Sequence, residues 1–170
     1  MPQNLFNHTT RIKAINFDRN FITFVPSDAF NSMNIVHLVF SFNQIRSVDA
    51  NAFVSLEESL EYLDFERNLL TTIPSAIYNL LKLRYLYLTS NLISNLDALP
   101  ASVKVLSLSS NNFSRIPIEA LSNCSLLYLN LGYNQITSID PNTFVGGGWG
   151  AELQVTSLDV VVVVVFSLFR

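Results

Sequence analysis

The chain is 170 residues long, 49% hydrophobic and 14% charged, with 13 Phe, 6 Tyr and a net charge of −3. That balance excludes a disordered chain, since the apolar residues suffice to offset the entropy of ordering it. Mild acidity without a run of Lys or Arg argues against a nucleic-acid-binding or anionic-membrane surface.

Residues 1–11 carry no periodic pattern and form a flank. Their start, Met1-Pro-Gln-Asn-Leu-Phe, lacks a basic stretch followed by a long apolar one, so no leader signature is visible. Cytosolic residence and a shortened gene start both remain open. From residue 12 a frame of apolar-x-apolar-x-x-Asn sets in and recurs six times: Ile15, Phe17, Asn20; Leu38, Phe40, Asn43; Leu63, Phe65, Asn68; Leu86, Leu88, Asn91; Leu106, Leu108, Asn111; and Leu129, Leu131, Asn134. Successive asparagines are 23, 25, 23, 20 and 23 residues apart. That period fits one solenoid coil made of a short strand and a return segment.

Alternation with period two turns both apolar frame residues to the same side of each strand. Each return then supplies further apolar positions, such as Ile22 and Val25 in the first unit and Phe113 and Ile116 in the fifth. Another large residue follows in each unit: Phe30, Phe53, Ile77, Leu99, Leu121 and Phe144. One coil cannot bury this set alone, so stability comes from stacking coil on coil. The asparagines sit where the chain leaves each strand and backbone groups lose their ladder partners. A short amide there can donate and accept toward both adjacent turns. Asn20, Asn43, Asn68, Asn91, Asn111 and Asn134 are therefore expected to form a structural ladder.

Pro74 and Pro117 begin returns, 74–80 and 117–121, that can each close one helical turn. Residues 54–60 lengthen one unit, and a loop or an extra helical turn absorbs them cheaply. Residues 92–110 shorten another, tightening it around Leu99-Pro100. After Phe144 the frame fails. Gly146 to Gly150 form a flexible break, and a damaged seventh unit leads into Val160 to Val165. This tract is too short to span a bilayer, which needs about 17–25 residues. Two readings of it stay open: a last edge strand covering the sixth unit, or a product of truncated or misread sequence. The expected divisions are thus a flank at 1–11, a solenoid at 12–145 and a degenerate hydrophobic tail at 146–170.

The same frame names the outward-facing strand positions. One column, just before the first frame residue, holds Ala14, His37, Tyr62, Tyr85, Val105 and Tyr128; the next, between the frame residues, holds Asn16, Val39, Asp64, Tyr87, Ser107 and Asn130. Tyr62, Tyr85 and Tyr87 are expected beside Asp64, Glu66 and Arg67. Tyrosine and arginine are enriched where proteins bind proteins, although tyrosine also packs well on exposed strands. Catalysis has little to rest on. The two histidines, His8 and His37, have no metal-ligand spacing, and Gly146–Gly150 lacks the features of a phosphate loop. No enzymatic activity and no cofactor are expected. The single Cys124 cannot close an internal disulfide, while extracellular solenoids are often sealed by disulfide-bonded caps. Either the chain is an inner piece of a larger secreted or cell-surface protein, or it is a cytosolic repeat protein. Asn7, Asn112 and Asn123 begin N-x-Ser/Thr triplets and are candidate glycosylation sites.

Leu83–Ile93, Val103–Phe113 and Leu126–Ile136 resemble the conserved half of the leucine-rich repeat superfamily. Val25–Phe30, Val48–Phe53 and Ile139–Phe144 are similar to the variable half of its extracellular members, which include chaoptin-like adhesion proteins, Toll-like receptors and small secreted proteoglycans. The resemblance covers residues 12–145. It implies a curved α/β solenoid of about six repeats, with parallel strands on the concave face and irregular or short helical segments on the convex one. It further implies that the concave face binds a protein or glycan, with Tyr62, Asp64, Arg67, Tyr85, Tyr87, Tyr128 and Tyr133 as candidate contacts. A receptor-like or adhesion module at the cell surface or outside the cell is the expected role. A structural spacer of a longer adhesion or matrix protein is the alternative, as is an intracellular scaffold, whose repeats Ile73–Leu80 also resembles. Phe17, Phe40 and Phe65 depart from the family's leucine and are expected to thicken the early core.

Overall fold

In the computed structural model, residues 12–139 and the backbone of residues 163–165 are described. Six three-residue strands form parallel rungs: β1 (Ala14–Asn16), β3 (His37–Val39), β5 (Tyr62–Asp64), β6 (Tyr85–Tyr87), β7 (Val105–Ser107) and β8 (Tyr128–Asn130). Their register sets Ile15, Leu38, Leu63, Leu86, Leu106 and Leu129 side by side. Six rungs bound five complete turns, and the result is a leucine-rich repeat solenoid with its strands on the concave side. The first frame residues from Leu38 to Leu129 are fully buried, as are Phe40, Phe65, Leu88, Leu108 and Leu131. Ile15 and Phe17 are only half-buried.

The phenylalanines do thicken the early core. Phe17, Phe40 and Phe65 stack ring on ring, with centroids 5.3 and 5.1 Å apart. Phe30 and Phe53 form a second file behind them, 6.0 Å apart, with Phe30 meeting Phe40 edge-on at 6.2 Å. Of the remaining return residues, Ile77 and Leu121 are buried, Leu99 is only half-buried, and Phe144 lies outside the described residues.

The asparagine ladder forms with one directional correction. Each amide serves its own turn and the preceding one, not both neighbours. Asn68 Nδ2 donates to the carbonyl of Phe65 in its own turn and to that of Phe40 one turn back, while its Oδ1 accepts the Ile45 amide. Asn43, Asn91, Asn111 and Asn134 repeat the arrangement. The reason is geometric. The amide stands at the end of a strand, where the carbonyl it can reach across the gap belongs to the strand before it.

The returns are mostly irregular. Ser75–Ile77 forms a 3₁₀ turn and Ile118–Leu121 (α1) a single helical turn, at the two expected places. A further 3₁₀ turn, Val54–Leu56, absorbs the lengthened unit. One pairing was not legible beforehand, and one settles an open reading. Phe24–Val25 (β2) and Ser47–Val48 (β4) pair in parallel as a small second sheet on the return side. Valines of the terminal tract, Val163–Val165 (β9), pair with β8 in antiparallel sense. This is the edge strand on the sixth rung that was one of the two readings of that tract.

Candidate functional site on the concave strands

Because the rungs are in register, one outward column places His37, Tyr62 and Tyr85 on adjacent strands. Their rings form a continuous row: His37 stacks on Tyr62 with centroids 5.5 Å apart, and Tyr62 meets Tyr85 at 6.2 Å. Tyr87, one column over, closes on Tyr62 at 5.3 Å. Tyr62 is thus the centre of a four-ring group. Tyr85 is the most open of the three tyrosines at 41% exposure, whereas Tyr62 and Tyr87 are half-buried. His37 is exposed, as its outward position in the Tyr62 column implies, and the stacking on Tyr62 joins it to the group.

Burial, followed by the nearby charge of Asp64, pushes the Tyr62 phenol up to about 12. Burial and Asp64 also raise Tyr87. These phenols stay protonated at neutral pH, so they act as hydrogen-bond donors and not as bases. Asp64 is itself raised, first by burial and then by Glu66 and Asp18, against the lowering effect of hydrogen bonds from the Glu66 amide and Ser41. Its Oδ1 accepts the Glu66 N–H at 2.7 Å. Asn16 and Asn130, in the same column, accept the amides of Asp18 and Gly132 in the same way. Asp64 therefore closes its strand end as well as lending charge to the face.

The remaining candidates are dispersed. Arg67 turns toward the rim, where its guanidinium lies 5.0 Å over Phe42 and its Nε is 3.5 Å from Glu66. Arg19 covers Phe42 from the other side at 4.6 Å. This Arg–Phe–Arg stack was not foreseen, and it engages Arg67 with Phe42 at the rim. It arises because the residue before each ladder asparagine sits in the left-handed region: Arg19, Phe42, Arg67, Ser90, Ser110 and Tyr133 all have φ between 51° and 56°. Tyr133 belongs to that rim column and is 77% exposed. Tyr128 lies in the tyrosine column but is parted from Tyr85 by Val105. Beside Tyr87 the face becomes a hydroxyl patch, where Thr89 bonds Ser107 at 2.7 Å and Ser109 at 3.2 Å.

Among the described residues no three His, Cys, Asp or Glu side chains gather where a metal ion could be held. No helix among them is long and apolar enough to cross a membrane. Asn112 and Asn123 are exposed together with Ser114 and Ser125, while Asn7 lies outside the described residues. Cys124 is buried, which raises its thiol pKa against the opposing effect of Lys104.

Residues 34–93 and 101–147 match the leucine rich repeat family. The chain belongs to that family. No curated protein matches this leucine-rich repeat chain. Among solved structures it is similar to the Toll–Spatzle complex, described as a molecular hub in Drosophila development and innate immunity. The match has 29% identity and a TM-score of 0.70, over 79% of this chain and 20% of that one. It is also similar to TLR13 in a complex with ssRNA13, at 25% identity and a TM-score of 0.69, over 79% and 20% of the two chains. The leucine-rich repeat chain thus spans about a fifth of the length of these two relatives.

Proposed function

We propose that this leucine-rich repeat segment is a protein-binding module of a receptor-like protein, working outside the cell or in an endosomal lumen, and that it performs no chemistry of its own. The observation that carries this reading is the aromatic row centred on Tyr62. Tyrosine side chains held against one another lose little conformational entropy on binding, and each offers a large contact face with a polar tip. Tyr85 and Tyr87 are the expected anchors, with Asp64 supplying charge; Tyr128 extends the contact beyond Val105, and Arg67 and Tyr133 contribute at the rim. The two similar structures are complexes, one with Spatzle and one with ssRNA13. A protein suits this chain better than a nucleic acid. In the Ala14–Tyr128 and Asn16–Asn130 columns and the next one outward (Asp18, Ser41, Glu66, Thr89, Ser109, Gly132) the charged side chains are Asp18, Asp64 and Glu66, and carboxylates repel a phosphate backbone. The exposed triplets at Asn112 and Asn123 fit a secreted or lumenal domain.

The test is to screen the immobilised chain against a panel of secreted, ectodomain and cytosolic proteins, then titrate the binder with Tyr62→Ala, Tyr85→Ala and the control Arg115→Ala. Loss of about 1 kcal/mol or more for either tyrosine, the size expected of an interface hot spot, supports the concave site. Equal affinities for all three variants would move binding off this face and favour a spacer within a longer adhesion or matrix protein. Binders confined to cytosolic proteins would instead favour an intracellular scaffold.

A further inference from the structure

A second surface lies on the flank where the chain enters the strands. There the carbonyl of Glu61 accepts the amides of both Arg84 and Tyr85, that of Arg84 accepts those of Lys104 and Val105, and that of Lys104 accepts those of Leu127 and Tyr128. This locks Glu61, Arg84, Lys104 and Leu127 into one column on successive rungs. Leu83, Val103 and Leu126 point into the core, so their neighbours on either side face solvent. Lys82, Ser102 and Ser125 form a second column parallel to the first. The two columns, with exposed Leu81, line a cleft of about 590 Å³. Its middle rung belongs to the 20-residue unit, which completes its circuit without the helical turn that its two neighbours have at Ser75–Ile77 and Ile118–Leu121.

The charge in this cleft is one-sided. Lys82, Arg84 and Lys104 face a single carboxylate, Glu61, at one end. Among the described residues none of the three cations lies within 4 Å of a carboxylate. The Lys104 ammonium is held at the cleft by a 3.1 Å hydrogen bond to the Ser125 carbonyl. Adjacent rungs stand about 4.8 Å apart, so Arg84 and Lys104 leave the backbone as neighbours in one column, and the Lys104 ammonium reaches on to the next rung. A carboxylate bound in the cleft gains charge-assisted hydrogen bonds from these cations. Leu81 and Leu127 are 62% and 38% exposed in the same cleft. They offer an apolar contact that a polyanionic sugar or free phosphate would leave unused, whereas a peptide can fill both requirements.

We infer that this flank cleft is a docking site for an acidic peptide segment of a partner protein, with its carboxylates on Arg84 and Lys104 and its aliphatic side chains on Leu81 and Leu127. The site is separate from the tyrosine face and does not depend on it. The test is fluorescence anisotropy of the full chain with a labelled peptide of alternating Glu and Leu. Parallel arms use its Gln–Leu counterpart and a heparin-derived hexasaccharide. Saturable binding of the Glu–Leu peptide is expected, weakening as salt rises. The Arg84→Gln/Lys104→Gln double variant and the Gln–Leu peptide are each expected to bind at least about tenfold more weakly, and Tyr85→Ala to bind as wild type. Both glutamine replacements lie on outward-facing positions, and unchanged thermal unfolding verifies that the variant is folded. Undiminished peptide binding by the double variant overturns the proposal. So does saturable binding of the hexasaccharide in the absence of peptide binding, or a loss in Tyr85→Ala as large as that in the double variant.

Discussion

Asn91 donates its side-chain amide to the carbonyl of Phe65, one turn back, at 2.9 Å. The same side chain accepts the buried Leu70 amide at 3.0 Å and donates to Leu88 and Thr89 of its own turn. One residue thus joins two coils just past the ends of their strands.

Replacing Asn91 by Ala is expected to destabilise the protein by about 1–3 kcal/mol, because the Leu70 N–H and the Phe65 carbonyl lose a partner where water does not reach. Asn134 is half-buried and Asn20 exposed. Their alanine variants should lose less, since water can satisfy the freed groups. A urea series on the three variants checks the order, and equal losses would refute the assignment of the energy to buried backbone groups.

The early turns owe their width to stacked phenylalanines. Phe40 is fully buried between Phe17 and Phe65, so Phe40→Ala should cost about 3–5 kcal/mol in transfer and cavity terms. Phe40→Leu restores the residue that later rungs carry at this position (Leu88, Leu108, Leu131). Its expected cost is smaller, about 1–3 kcal/mol, because leucine refills most of the space although the aromatic pairs with Phe17, Phe30 and Phe65 are lost. Thermal or chemical unfolding would expose an error if the two variants lost the same stability.

The rungs, the ladder and the core were legible in the sequence because each rests on a local rule repeated six times. Leu38, Leu63 and Leu86 could be set side by side by counting alone. The β2–β4 pairing was not legible, since Phe24–Val25 and Ser47–Val48 are too short to show a period. Within the site, the columns put Tyr62, Tyr85 and Tyr87 together correctly. They could not reveal that Arg67 stacks on Phe42 at the rim, because that depends on the left-handed backbone at each rim position. Nothing in the residue types announces it: Arg, Phe, Ser and Tyr fill a conformation that usually favours glycine.

That rim column yields its own prediction. Ser90 has φ near 54°, a region that a β-branched side chain enters only with strain. Ser90→Val should destabilise by about 1–2 kcal/mol. Ser90→Gly should be neutral or slightly stabilising, because relief of the left-handed penalty offsets glycine's greater entropy when unfolded. Melting temperatures of the pair check the sign. A valine variant as stable as the glycine variant would mean that the turn relaxes in solution.

Asp64 and Tyr62 give the face a pH signature. Both have folded-state pKa values above their ordinary ones, chiefly through burial. A raised pKa means that the folded state favours the proton. The contribution is fully present below the unfolded pKa and is lost as pH rises through the folded one. For Tyr62 that loss falls between pH 10 and about 12. For Asp64 the ordinary value is 3.8, so at neutral pH its charge already weakens the fold. Asp64→Asn should therefore stabilise the protein at pH 7 by ~0.5 kcal/mol, since the carboxamide removes a partly buried charge that also feels Glu66 and Asp18. The carboxamide can still accept the Glu66 amide, as Asn16 and Asn130 do for the amides of Asp18 and Gly132. The advantage should shrink as the pH falls through the raised folded-state pKa of the wild-type carboxyl and be gone below its ordinary value of 3.8. Unfolding free energies of wild type and Asp64→Asn measured from pH 3 to 8 test this. A gap that stays constant across that range would assign the effect to packing and not to charge.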